Sequence, residues 1–500
     1  MLQRERKLKF GEYSKVASFG SVASFEAYAK SLGLEFPCDA QIVTGDSAPL
    51  ARPLTVAGRV LSNRFSILPM EGWDGTEDGR PTDNTRRRWQ KFGRSGAKFI
   101  WGGEAVAVRH DGRANPRQLC LTEGSQSDIA GLRDLLIAAH RDPAAENDPG
   151  DLFIGLQLTH SGRFCRPNAG GRLEPMILYH HPILDRKFGI SSDHPVMTDD
   201  EIARLIEDYV VAAKRAQDCG YDFVDLKHCH GYLGHEFLSA VSRPGRYGGS
   251  LENRTRFLRE IVAGIRAEAP GLHIGVRLSA IDLVPFKPDP EQSSGSILGP
   301  GVPESFSDAL PYKCGFGTNV DNPTEFDLSE TYAFCRVLED LGINLLNVSG
   351  GSPYYNPHVT RPALYPPSDG YLPPEDPLIG VMRLMDVTRA IKTQFPNMIC
   401  VGSGYTYLQD YLPNVAQAAV RNGWVDFVGL GRMVLSYPEL PRDVLSVGTI
   451  KKKRICRTFS DCTTAPRNGM VSGCYPLDAV YKMSPEYKTL ASVKKAAKIA

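Results

Sequence analysis

Within six residues, Lys227, His228, Cys229, His230, Gly231 and Tyr232 bring together a cation, two imidazoles, a thiol and a phenol. Alternation along a strand and its turn puts Lys227, His230 and Tyr232 near one another. A donor pair beside a phenol can polarise a carbonyl oxygen and deliver a proton. Two blander uses compete with that one. His228, Cys229 and His230 could start a metal site, although no carboxylate or fourth ligand is obvious nearby. The imidazoles could also be structural. A second group lies much later in the chain, in Gly402-Ser403-Gly404 and Gly429-Leu430-Gly431-Arg432. Small residues let backbone N–H groups approach a phosphate, and Arg432 adds a charge-assisted contact. Either glycine loop alone reads as a turn; the pair with an arginine reads as an anion cradle.

The elements that must position these groups repeat eight times: a short apolar run, a loop, then an amphipathic stretch. The spacing predicts strands over 64–69, 98–102, 152–158, 222–227, 274–278, 345–348, 398–401 and 426–430. The runs are nearly all apolar rather than alternating, as in a parallel sheet covered on both faces. The clearest helix precedes the fourth run. Thr198 and Glu201 form a capping box, Ile202, Leu205, Ile206, Tyr209, Val210 and Ala213 share a face, and Gly220 ends it. A second helix carries Phe257, Leu258, Ile261, Val262 and Ile265 on one face. The fold class expected is α/β, a (β/α)8 barrel; a doubly wound open sheet gives a similar pattern, but no GxGxxG follows the first strand.

In such a barrel the strand C-terminal ends carry function. The ends here are Pro69-Met70-Glu71-Gly72, Gln157 to Arg163, Lys227 to Tyr232, Arg277-Leu278-Ser279 and the two glycine loops. Three segments stand outside the repeat. Residues 1–50 form an N-terminal extension before a barrel spanning 51–450. Residues 283–326, rich in Pro, Gly and Ser, form a long lid-like insertion on the catalytic rim, expected to shape the substrate pocket. Residues 451–500 form a tail with three cysteines and a Lys-rich end.

Composition excludes several classes. Of 500 residues, 42% are apolar and 23% charged, and Lys+Arg 58 against Asp+Glu 57 leaves a net charge of +1. That balance argues against a nucleic-acid or membrane partner and for a small-molecule substrate; it leaves a homo-oligomer open. No run reaches the roughly 18 apolar residues a spanning helix needs. The charged MLQRERKLKF start has no apolar core and is not read as a secretory leader. The 11 scattered cysteines suit a reducing, cytoplasmic setting better than a disulfide framework.

The residues resemble the old yellow enzyme family of FMN-dependent NADH:flavin oxidoreductases and ene reductases, including its 2,4-dienoyl-CoA-reductase-like branch. The strongest stretch runs from Tyr221 to Val262 and contains HGYL, YGGSLENR and the helix after them. NRFSILPM, GLQLTHSGR, GVRLS, NVSGG and VGLGRMVLSYPEL match in the same order, so the resemblance covers roughly 50–450.

It implies FMN at the strand ends. Pro69, Met70 and Glu71 would lie by the flavin, Gln157 at its pyrimidine edge and Arg277 near N1 and the C2 carbonyl, where charge develops on reduction. Gly402, Ser403, Gly404, Gly431 and Arg432 would hold the phosphate. His230 and Lys227 would hold a substrate carbonyl, and Tyr232 would protonate carbon; a phenol of pKa ~10 keeps its proton until a strong base forms. The resemblance thus implies reduction of a carbonyl-conjugated C=C bond with NADH or NADPH as donor. Dehydrogenation of amines or hydroxysteroids, or a flavin redox sensor or electron carrier, are the other readings. Two residues depart from the family pattern: Lys227 replaces a histidine, and Glu71 a threonine or cysteine. Glu71 as a carboxylate would oppose flavin reduction unless turned away or protonated. In the branch with an iron–sulfur cluster, four cysteines follow the barrel at x2, x3 and x11. Cys456, Cys462 and Cys474 give x5 and x11, one short of the four thiolates such clusters use, so a cluster is not expected.

Overall fold

A computed structural model describes residues 13–145, 147, 152–294 and 298–496. The charged N-terminal stretch, positions 295–297 of the insertion and the last four residues of the tail lie outside the described residues.

Eight parallel strands close into a barrel: β1 Phe65–Ile67, β2 Phe99–Ile100, β3 Phe153–Thr159, β4 Phe223–His228, β5 His273–Ser279, β6 Leu345–Ser349, β7 Ile399–Gly402 and β8 Phe427–Leu430. Each pairs with the next in chain order. The ring is sealed by β8 on β1, with Val428 opposite Phe65 and Leu430 opposite Ile67. A closed ring has no edge, which decides against the open sheet. Every run expected to be a strand contains one. The run 98–102 keeps only Phe99–Ile100, because the chain leaves the ladder at Trp101 and returns as a ninth strand, Ala105–Ala107, pairing with Gln157–Thr159 of β3.

Helices lie outside, one after each strand: α1 Asp83–Arg94, α2 Gln126–Arg141, α3 Asp199–Asp218, α4 Arg256–Glu268, α5 Ser329–Asp340, α6 Pro377–Gln394, α7 Leu412–Arg421 and the single turn α8 Met433–Ser436. The capping box of α3 forms as expected: Glu201 N–H donates to Thr198 Oγ1 at 3.2 Å, and Thr198 N–H to Glu201 Oε2 at 2.7 Å. Ile202, Leu205, Ile206 and Tyr209 are buried against the strands.

The N-terminal half of the barrel interior is solid. Phe99, Phe153, Phe223 and Phe427, near the strand starts, pack with Trp101 and Leu345. The Phe153 and Phe223 rings stack at 5.1 Å, and Phe99 meets Phe427 edge-on at 5.0 Å. Gly155 makes room for this layer, since a Cβ there would lie 2.2 Å from the Phe223 ring. A hairpin of Leu54–Val56 and Arg59–Leu61 adds Val56 and Leu61 to the same cluster. Each ring removed from water contributes on the order of 2 kcal/mol, and this layer fills the lower half of the barrel.

The three outlying segments dock on the barrel. Before it, Phe25 stacks on Tyr411 at 4.7 Å and Asp39 pairs with Arg421 of α7, so this stretch lies along the flank. In the insertion, Phe286–Pro288 and Gly301–Pro303 form a short antiparallel ladder. Its strand backs the loop after β6, with Phe286 N–H donating to Tyr355 O at 2.8 Å. The tail folds over the open end through Asp461–Arg467, Ala479–Lys482 and Glu486–Ala496, with its own small core around Tyr475, Tyr481 and Leu490. No helix among the described residues is long and apolar enough to cross a membrane.

Candidate functional site

A cleft opens at the C-terminal ends of the strands, and the residues singled out from the sequence meet there. Pro69, Met70 and Glu71 after β1, Gln157 on β3, Lys227, His230 and Tyr232 at the end of β4, Arg277 on β5 and Arg432 after β8 all line it. Cys462 and Cys474 of the tail do so as well. Gly402 ends β7, Ser403 and Gly404 follow it, and Gly431 follows β8; these four are not among the residues that line the cleft. Among the described residues, none of 283–326 lines this cleft. The loop after β6 supplies Pro353 and Tyr354 instead, and the tail supplies the opposite side.

The floor is organised by Asp225, whose side chain points inward from β4. Its carboxylate accepts from Gln157 Nε2 at 2.5 Å, Trp101 Nε1 at 2.8 Å and the backbone N–H of Arg277 at 2.7 Å. Burial pushes this carboxyl up to about 6, against the pull of the three donors and the Arg277 charge. Because Gln157 donates its amide N–H to Asp225, its carbonyl oxygen is left for the cleft. Arg277 reaches Pro69 O at 3.2 Å through Nη1, and its Nε is buried without a protein partner.

Above the floor, the turn after β4 is bent into the left-handed region at His230, φ 67°, and Gly231, φ 77°. A non-glycine residue there costs about 1–3 kcal/mol. Three hydroxyls hold it: Ser279 Oγ accepts from His230 N–H at 2.9 Å, Ser352 Oγ donates to His230 O at 2.8 Å, and Ser349 Oγ lies 3.0 Å from His230 Nε2. Burial, with Arg277 and Lys227 nearby, holds His230 well below the usual imidazole range, so it is a neutral ring. His228 faces the other way, bonding Leu226 O, and no three metal-ligating side chains converge among the described residues.

Lys227 and Tyr232 pack together. The Lys227 ammonium lies 3.5 Å from the centroid of the Tyr232 ring. Burial pulls the lysine below its ordinary range, opposed chiefly by Glu71, whose Oε2 is 3.9 Å away. The Tyr232 hydroxyl donates to the same Glu71 oxygen at 2.6 Å and contacts Tyr354 Oη at 2.7 Å. Burial and Glu71 push this phenol well above 10. Glu71 is held by the loop it sits on: Gly72 N–H donates to Glu104 at 2.5 Å, and Arg88 bridges Glu104 and Asp74. The carboxylate is therefore turned to Tyr232 and Lys227. Tyr354, stacked on Phe164 at 4.2 Å, and Asp225 are site residues the sequence reading missed. Tyr354 follows β6 at the rim and could have been found by the strand-end rule; Asp225 is the one carboxylate inside an apolar strand run.

At the far end, Ser403 Oγ and Arg432 Nη1 are buried without protein partners, and a Cβ on Gly431 would meet open space. These orphaned donors, a left-handed Gly404 (φ 94°) and an unpaired guanidinium fit the phosphate of a mononucleotide.

Residues 49–291 match the NADH:flavin oxidoreductase / NADH oxidase family. The chain is 29% identical over 326 residues to an NADH:flavin oxidoreductase of Gibberella zeae, covering 62% of this chain and 68% of that protein. It superposes on a 2-naphthoyl-CoA reductase complex with a TM-score of 0.60 at 19% identity, over 88% of this chain and 58% of that one. An old yellow enzyme homologue of Zymomonas mobilis gives 0.52 at 20%, over 79% and 91%. The chain thus resembles the NADH:flavin oxidoreductase / NADH oxidase family over residues 49–291 and shares its barrel fold with an old yellow enzyme homologue. It spans between 52% and 68% of the length of the curated relatives it matches.

Proposed function

We propose that this chain binds FMN at the strand ends, takes electrons from NADH or NADPH, and reduces a C=C bond conjugated to a carbonyl in a small molecule. The observation that carries this reading is the placing of two oxygen-directed donors, His230 and Lys227, beside the phenol of Tyr232, all facing a floor made by Gln157 and Arg277.

The residues divide the work. Gln157, its amide fixed by Asp225, would offer its carbonyl to the imide N–H of the flavin, and Arg277 a fixed cation to the neighbouring carbonyl. Ser403, Gly404, Gly431 and Arg432 would take the phosphate. FMN, when bound, supplies hydride transfer between the nicotinamide and the alkene. His230, neutral, donates one N–H to the substrate oxygen, and the Lys227 ammonium adds a charge that favours an enolate. Tyr232 gives its proton to the substrate carbon once that carbon is basic enough. Tyr354 and Glu71, both within hydrogen-bond distance of Tyr232, are the groups able to restore it.

One spectrum and one assay test this. The purified protein should show two-banded flavin absorption that bleaches with anaerobic NADH or NADPH and recovers on adding 2-cyclohexen-1-one. Bleaching by an amine or alcohol, with no recovery by enones, would assign the site to dehydrogenation; a protein that takes up no FMN would overturn the reading.

A further inference from the structure

Two guanidinium groups approach one another in the cleft with no acid between them. Arg432 Nη2 contacts Pro362 O at 3.4 Å, next in sequence to Arg361, whose own side chain lines the same cleft. The neighbouring cations on the tail side of the cleft are neutralised: Arg87 and Lys91 by Asp478, Arg88 by Asp74 and Glu104, Arg467 by Asp369. Among the described residues no carboxylate lies within ion-pair distance of Arg361 or Arg432. Arg361 Nε and Arg432 Nη1 are buried without partners. Burial first, and Arg432 second, pull Arg361 down to about 9. Two buried like charges with donors left over are costly unless an anion joins them.

What aims Arg361 comes from the tail. Its Nη1 donates to Thr463 Oγ1, and its Nη2 lies 3.4 Å from Ser460 Oγ, which is itself anchored on Tyr365 O at 2.6 Å. Ser460 and Thr463 belong to the loop between Cys456 and Cys474.

We propose that Arg361 is a second cation on the flavin phosphate, acting with Arg432, and that the loop 456–463 is the strap that positions it. This rests on the flavin reading above and goes beyond it: a segment placed like a cluster loop serves to retain the cofactor through hydroxyl groups. Two charge-assisted bonds to a dianion make the phosphate, rather than the ring, the part of the ligand this strap controls.

Apoprotein titrated with FMN and with riboflavin, followed by quenching of flavin fluorescence, tests this. Arg361→Gln should raise the FMN Kd about ten- to a hundredfold and leave the riboflavin Kd within about threefold. Arg361→Lys should restore part of the loss. The double variant Ser460→Ala/Thr463→Val, which leaves the barrel and the charge intact, should raise the FMN Kd by about three- to tenfold. Unchanged FMN affinity in Arg361→Gln, or equal weakening of both flavins, would overturn the proposal. Wild-type protein that carries iron and sulfide, lost in Arg361→Gln while FMN affinity holds, would assign the pair to a cluster and overturn it too. Wild-type protein that binds neither flavin would overturn the flavin reading and this inference together.

Discussion

The Lys227 ammonium stands 3.5 Å from the ring of Tyr232 while that ring's hydroxyl donates to Glu71. Cation, phenol and carboxylate form one unit, so a change at any of them is felt by the other two.

Tyr232→Phe keeps the ring under Lys227 and removes only the proton. Reduction of an enone should fall by about a hundredfold or more, the usual weight of a positioned acid. Reduction of the flavin by NAD(P)H should stay within about threefold. Stopped-flow measurement of the two half-reactions separates the effects, and equal losses in both would exclude the proton-donor role.

Glu71 raises the pKa that burial lowers at Lys227. Lys227 therefore loses its charge below its ordinary 10.5, and Glu71→Gln should lower that point further. The alkaline limb of kcat/KM should shift to lower pH in Glu71→Gln and disappear in Lys227→Met. A pH profile that is the same in all three proteins would remove Lys227 from the reaction.

Asp225 gathers three donors, and Asp225→Asn would turn an N–H toward at least one of them, at a cost of about 2–4 kcal/mol. The size should depend on pH. With a folded value of about 6 against 3.8, ionisation of Asp225 opposes folding. Its favourable contribution is full below 3.8 and lost as pH rises through 6. Wild type should therefore exceed Asp225→Asn by more at pH 5 than at pH 7.5, by on the order of 1 kcal/mol. Urea unfolding at both pH values reads this directly.

Gly155→Ala places a methyl 2.2 Å from the Phe223 ring in the filled half of the barrel. Overpacking of this kind costs about 1–3 kcal/mol. A thermal midpoint lowered by several degrees, with flavin affinity retained, is expected, because the strain is confined to the end away from the cleft.

The barrel was legible because parallel strands buried on both faces leave eight apolar runs, and the strand-end rule then collected Lys227, His230, Tyr232, Gln157 and Arg277 without any contact information. What escaped is what three-dimensional pairing alone decides. Asp225 looks like a single polar residue in a strand until Gln157, Trp101 and Arg277 converge on it. Tyr354 is brought to Tyr232 by a loop of 122 residues' separation. The insertion 283–326 reads as a lid by its position after β5, yet its hydrogen bonds run to Tyr355 of the β6 loop and to Tyr179, His181 and Lys187 of the segment after β3. Arg361 has no sequence signal at all: its place is set by hydroxyls nearly a hundred residues later.

The wall of the cleft made by residues 462–481 leaves the ribosome after all eight strands. The ring can seal, and its aromatic layer pack, while the open end is still bare. The doorway is therefore broad in the bare barrel and narrowed by residues that follow it, among them Cys462, Arg467, Cys474 and Tyr481. Because this stretch packs around its own small core of Tyr475, Tyr481 and Leu490, it can loosen without the barrel, and ligand exchange is expected to follow the hydrogen-exchange protection of residues 462–481.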